Sequence, residues 1–205
     1  MSAFDKSNSD KPLVVGIGGT TRTPSSTDRA LRLALRAAED AGAITHCFSG
    51  PFLVRLPHFA PEHQTRSDEQ RELVEMVRRA DGLIVASPGY HGGVSGLVKN
   101  ALDLLEDLST DSRTYLEGRA VGLVVTAAGW QAAVTTLEAL RAIVHALRGW
   151  PTPIGASLNT AEPIFDGQGN CTDAKSANAL AAVGRQVVEF AVRHAETAKR
   201  ISWTI

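Results

Sequence analysis

Cysteine is scarce in this chain: Cys47 and Cys171 are the only two, and neither belongs to a CxxC pair or a Cys/His cluster. Such usage points to a reducing, cytoplasmic compartment and argues against a zinc site. The six histidines show no metal-ligand spacing either, so no metal is expected. No apolar run approaches the length of a membrane-spanning helix, and membrane insertion is not expected. Residues 1–11 are polar and charged with no apolar core, which reads as a flexible N-terminal tail rather than a signal peptide. Excess charge of one sign is missing as well: 21 Lys and Arg against 22 Asp and Glu leave a net charge of −1. A nucleic-acid or anionic-membrane partner would call for a basic face, so neither is expected.

What remains is enough for one substantial core. The chain has 205 residues, 43% of them hydrophobic, with no obvious linker, and residues 12–205 read as a single domain. Strand and helix patterns alternate along it. Strands are expected near 13–17, 43–48, 82–87, 120–127 and 151–157, and helices near 26–41, 68–80, 94–108, 130–148 and 174–199. Runs such as Val121-Gly-Leu-Val-Val-Thr are apolar on both faces, as in strands covered by helices on both sides. The expected fold is therefore α/β: a five-stranded parallel sheet in a doubly wound three-layer sandwich. Ser49–Ser67 and Asn159–Cys171, rich in turn residues such as Asp166-Gly and Gly169-Asn, interrupt the pattern as loops.

Three polar loops follow apolar strands, and open α/β sheets bind ligands at the carboxyl ends of their strands. After the first strand, Gly18-Gly-Thr-Thr-Arg-Thr-Pro-Ser-Ser-Thr leads into a helix. Helix N-terminal N–H groups, the hydroxyls of Thr20, Ser25 and Thr27, and the Arg22 fork all donate hydrogen bonds, which outlines an anion cradle. The competing role is plainer: Ser25 or Ser26 as a helix cap and Arg22 as a solvated charge. Gly16-Ile-Gly-Gly-Thr-Thr lacks the third glycine of a dinucleotide fingerprint, no P-loop is present, and no cysteine sits in the loop for phosphatase chemistry. That leaves a monophosphate clamp without a nucleophile.

The second loop, Ser87-Pro-Gly-Tyr-His-Gly-Gly-Val, carries glycines that allow close backbone approach and two rings, Tyr90 and His91, beside a flat ligand. A glycine-softened turn is the alternative. The third, Thr126-Ala-Ala-Gly-Trp-Gln, places Gln131 and Trp130 where the other edge of such a ring would lie. Trp130 suits stacking and packing equally. In the strand order 2-1-3-4-5 all three loops converge beside the switch point between the first and third strands.

With these motifs, GGTTRTPSST, SPGYHGGVSGLVKNALDLL and TAAGWQAA, the chain resembles the NAD(P)H-dependent FMN reductase family of flavodoxin-like proteins over about residues 12–195. The resemblance implies a flavodoxin-like sheet in the order 2-1-3-4-5. It implies that FMN phosphate is held by Thr20, Arg22, Ser25 and Thr27, with Ser26 as a backbone donor. The isoalloxazine would lie on Pro88, Gly89, Tyr90, His91, Gly92 and Gly93, with further contacts from Thr126, Gly129 and Gln131. The implied cofactors are FMN with NADPH or NADH, and the implied partner is a small-molecule electron acceptor such as a flavin or quinone. The Pro24-Ser-Ser-Thr spelling resembles the branch that supplies reduced FMN to monooxygenases, while azo, quinone and chromate reductases share much of the pattern. An electron-carrier flavodoxin and a non-catalytic binding protein are the other classes, and carriers are characteristically acidic. FMN itself carries the redox step, so no residue is singled out as catalytic. A homodimer or homotetramer is also implied; Leu104 beside Leu105 and Val134 beside Leu137 fit self-association or core packing alike.

Overall fold

The computed structural model describes residues 11–63 and 65–201, without the side chains of 199–201. Of the expected N-terminal tail, all but Lys11 lies outside the described residues. The elements are β1 (Leu13–Gly18), α1 (Ser26–Asp40), β2 (Ile44–Phe48), α2 (Gly50–Leu53), α3 (Asp68–Arg79), β3 (Gly82–Tyr90), β4 (Gly93–Val94), α4 (Gly96–Asp103), β5 (Ala120–Ala127), α5 (Trp130–Ala146), β6 (Trp150–Asn159) and α6 (Ala174–Ile201).

The sheet runs β2-β1-β3-β5-β6, all parallel, with the two-residue β4 paired antiparallel to β3 outside this path. With β4 set aside, this is the expected order 2-1-3-4-5, the flavodoxin topology. β5 is buried at every position, and β3 through Pro88, because helices cover both faces. One layer packs α1 and α6 on the sheet through Leu31, Leu35, Leu180 and Val187. The other packs α3, α4 and α5 through Leu73, Val77, Leu102 and Leu140.

Local chemistry sets the helix starts. Ser25 caps α1 by accepting from Asp28 N at 3.1 Å. Ser67 and Gln70 form a reciprocal capping box on α3. Ser95 caps α4, accepting from Val98 N at 3.3 Å.

Most boundaries lie within two residues of expectation, while β3 runs three residues past it to Tyr90 and two segments differ in kind. The helix expected over 94–108 begins only at Gly96, and its last turn, Leu104–Leu108, tightens into a 3₁₀ helix. That tightening turns Leu104, Leu105 and Leu108 all into the core. Leu104 and Leu105 thus lend nothing to self-association, whereas Val134 is 51% exposed. Within Ser49–Ser67, expected to be a loop, Gly50–Leu53 forms the short helix α2.

Candidate active site

Parallel registry places the loop-bearing strand ends side by side: Gly18 pairs with Ala86, and Pro88 with Thr126. The three loops therefore share one edge of the sheet. A buried hydrogen bond of 2.6 Å between the Thr27 and Thr126 hydroxyls ties the first turn of α1 to the end of β5.

The first loop is knotted from behind. Gly19 has φ +119°, and a side chain there would collide with the Asp28 carboxylate. Asp28 Oδ1 accepts from Gly50 N at 3.4 Å, and a Cβ on Gly50 would collide with the Thr20 carbonyl oxygen. Thr20 Oγ1 accepts from Arg22 N at 3.2 Å, so this hydroxyl shapes its own turn. The Thr23–Pro24 peptide is cis. Ser25 is buried as the helix cap, the role weighed against ligand binding, while Ser26 is half-buried at the first helical position. Outward, the loop offers donors. The N–H groups of Thr21 and Thr23 have no acceptor among the described residues. Those of Ser26 and Thr27 open the helix, where no intrahelical acceptor exists. Arg22 is exposed, and its guanidinium makes no ion pair among the described residues.

One acidic group stands behind these donors. Burial pushes the Asp28 carboxyl above its usual 3.8, with the Gly50 N–H and the Arg32 charge pulling the other way.

The second loop is a hairpin instead of a turn into a helix. Gly89 pairs with Val94 and Tyr90 with Gly93. His91 (φ 52°) and Gly92 (φ +81°) form its two-residue turn, the left-handed pair that suits a tight hairpin. Ser87 locks it by donating to Pro88 O at 2.8 Å and accepting from Ser95 N at 3.0 Å. Pro88 is buried, while Tyr90 is 51% exposed and His91 is exposed. At Gly89 the structure supplies a packing reason for glycine: a Cβ would sit 2.7 Å from Thr136 Oγ1 on α5.

In the third loop, Gly129 (φ +123°) reverses the chain into α5. Its N–H is already taken by Asn159 Oδ1 at 2.8 Å and Ala127 O at 3.1 Å. Thr126 is buried beneath the loop, and Gln131 and Trp130 are exposed in the first turn of α5. Asp28, Gly50, Ser87, Thr136 and Asn159 were not singled out in the sequence. Of these, Ser87 alone stood in a motif read from the sequence, as the first residue of the second loop.

A cavity of about 580 Å³ lies at the other end of the sheet, lined by Trp150, Phe190 and His194, and has no part in this site. No group of three or more His, Cys, Asp or Glu that could hold a metal occurs among the described residues. No described helix is long and apolar enough to cross a membrane.

The topology and the loops at the switch point define a flavodoxin-like protein. Residues 12–162 match the NADPH-dependent FMN reductase family, and the chain belongs to it. It is similar to an iron-sulfur flavoprotein of Archaeoglobus fulgidus, 30% identical over 57% of this chain and 62% of that protein. It is also similar to an FMN-dependent NADPH-azoreductase of Staphylococcus aureus, 37% identical over 40% of each chain. The matched segments thus span less than two thirds of either relative's length. Among solved structures, a flavoenzyme NAD(P)H:acceptor oxidoreductase from Paracoccus denitrificans shares the fold, with a TM-score of 0.74, 18% identity, and 89% of this chain and 98% of that one covered. The residues present fit FMN: the exposed Arg22 guanidinium and the N–H groups of Thr21 and Thr23 have no acceptor among the described residues, and the exposed rings of Tyr90 and Trp130 lie on the other two loops.

Proposed function

We propose that this protein is an FMN-dependent oxidoreductase that takes reducing equivalents from NADPH or NADH and delivers them to a small-molecule acceptor. The observation that carries the reading is the first loop's unpartnered donors, the Arg22 guanidinium and the Thr21 and Thr23 N–H groups, on the same sheet edge as the hairpin. Arg22 and the N–H groups of Thr21, Thr23, Ser26 and Thr27 would hold the FMN phosphate. The hairpin from Pro88 to Gly93 and the loop from Thr126 to Gln131 would carry the ring. When bound, FMN would supply the two-electron redox chemistry that links nicotinamide to the acceptor. The protein's own work is anchoring, orientation and an open ring face.

Delivery of reduced FMN to a monooxygenase is the particular role we favour, on the Pro24-Ser-Ser-Thr spelling. A quinone or azo acceptor is the second reading, and the azoreductase relative speaks for it. We also propose a homodimer or larger assembly, supported by the exposed Val134 on α5 and Ile154 on β6. A cytoplasmic setting belongs to the same proposal, with the free Cys47 and Cys171 as its support.

The test is to load the purified protein with FMN, desalt it, and follow flavin absorbance anaerobically on adding NADH and then NADPH. Bleaching by either supports the reductase. Bound FMN that neither donor reduces would make the protein a carrier or binding module, and failure to bind FMN would remove the site.

A further inference from the structure

A second cavity, of about 500 Å³, adjoins the third loop. It runs from Trp130 past Ser157 and Asn159 on the free edge of β6 to Thr172, Lys175 and Ser176 where α6 begins. Its volume is in the range of small-ligand sites.

Three observations give it chemistry. The Ser157 hydroxyl is the one buried side-chain polar atom without a hydrogen-bond partner among the described residues. A buried hydroxyl left unpaired is costly, and Ser157 lines the cavity. Asn159 Oδ1 already accepts from Gly129 N at 2.8 Å and Ala161 N at 3.1 Å, which leaves its amide N–H donors unused among the described residues. The same residue joins the cavity to the flavin loop. Trp130, 55% exposed, presents an indole at the boundary between the two.

The charges are mixed. Lys175 is the one cation in the lining, against Glu162 and Asp173. Hydrogen bonds from the Ser176 side chain and N–H hold the Asp173 carboxyl below its usual value, so it stays an acceptor at neutral pH. An indole face, hydroxyl-accepting carboxylates, amide donors and a single cation together match a nucleoside diphosphate better than a simple anion or an apolar acceptor.

We propose that this cavity is the subsite for the adenosine end of the nicotinamide donor. The adenine stacks on Trp130, the ribose hydroxyls face Glu162 and Asp173, Ser157 completes a base or sugar contact, and Lys175 meets the diphosphate. The inference rests on the reductase reading above.

The experiment uses ADP-ribose, which lacks the nicotinamide ring, as a calorimetric probe of the FMN-loaded protein. Alongside it, KM is measured for NADH and for reduced nicotinamide mononucleotide, which lacks the adenosine. Ser157→Leu fills the cavity, and Trp130→Ala removes an exposed stacking face without touching the core. Each is expected to weaken ADP-ribose binding and raise the NADH KM roughly tenfold. KM for the mononucleotide and the affinity for FMN should hold in Ser157→Leu. If the wild type is reduced by a nicotinamide but does not bind ADP-ribose, or if both variants bind it unchanged, the subsite is overturned and the reductase stands. If no nicotinamide reduces the loaded wild type, the reductase reading itself falls. Should Ser157→Leu fail to fold, Lys175→Ala, exposed at the start of α6 and outside the flavin loops, takes its place: ADP-ribose binding should weaken with FMN affinity unchanged, and unchanged ADP-ribose binding overturns the subsite.

Discussion

At the scale of single residues, the first loop sets two opposite charges near one proposed phosphate. Arg22 is exposed and has no ion-pair partner among the described residues. Charge-assisted hydrogen bonds contribute about 1.5–3 kcal/mol, so Arg22→Ala should weaken FMN binding roughly tenfold or more. Binding of riboflavin, which has no phosphate, should not change; titration of both flavins checks this. Asp28 acts in the other sense. Its carboxyl titrates above 3.8 in the folded protein, chiefly through burial. Just above that value the folded chain binds more protons than the unfolded one, so the group's contribution to stability is present at acid pH and lost as pH rises through the folded pKa. Asp28→Asn keeps an oxygen for Gly50 N and removes the charge. The variant should gain on the wild type in melting temperature from mildly acidic to neutral pH, and should bind FMN more tightly. Equal melting curves across that range would count against a buried charge penalty.

At the scale of elements, two contacts hold the site together. The Thr27–Thr126 pair joins α1 to β5 through a buried 2.6 Å hydrogen bond. Thr126→Val strands the other hydroxyl, a loss of about 1–3 kcal/mol in denaturant unfolding. The double valine variant should lose less than the sum of the single ones, because no unpaired hydroxyl remains. On the far layer, α1 and α6 cross at Gly184, where a Cβ would collide with the Ala34 carbonyl oxygen. Gly184→Ala should therefore push the helices apart and cost about 1–3 kcal/mol, measured in the same unfolding experiment. The sequence showed the amphipathic face of α1, since Leu31, Ala34, Leu35 and Ala38 repeat at helical spacing. It did not show the hairpin at His91-Gly92, because the pairing partner of Tyr90 is the equally short Gly93-Val94, and two residues carry no periodicity.

At the scale of the whole molecule, the two ends of the sheet do different work. The three loops gather at the carboxyl end, while near the opposite end Arg119 is 1% exposed. Its guanidinium donates to Ala80 O at 2.9 Å, Tyr115 O at 2.7 Å and Arg78 O at 2.7 Å, fastening the end of α3 and the loop before β5 to the sheet. Burial, with the like charge of Arg113 beside it, lowers its pKa to about 10, yet all three carbonyls still accept its N–H groups. Arg119→Met leaves three carbonyls without that donor and should cost about 3 kcal/mol or more. The FMN affinity of the protein that remains folded should match the wild type, since the clamp lies at the other end. A parallel loss of affinity would show that the two ends are coupled.

The sequence by itself determined the α/β class, the strand and helix order, and the three glycine- and hydroxyl-bearing loops. Those are local properties: apolar runs, helical spacing and turn residues act over a few neighbours. Only the tertiary structure decided which polar groups remain free to bind. Packing of α1 on the sheet brought Thr27 onto Thr126, and the β5–β6 pairing brought Asn159 beside Gly129, consuming donors that looked available; packing also placed Asp28 behind the clamp and Ser157 without a partner. Hydrogen-bond capacity is written in the residue type; whether it is spent depends on what folding brings within 3 Å or so, across separations no local pattern reports.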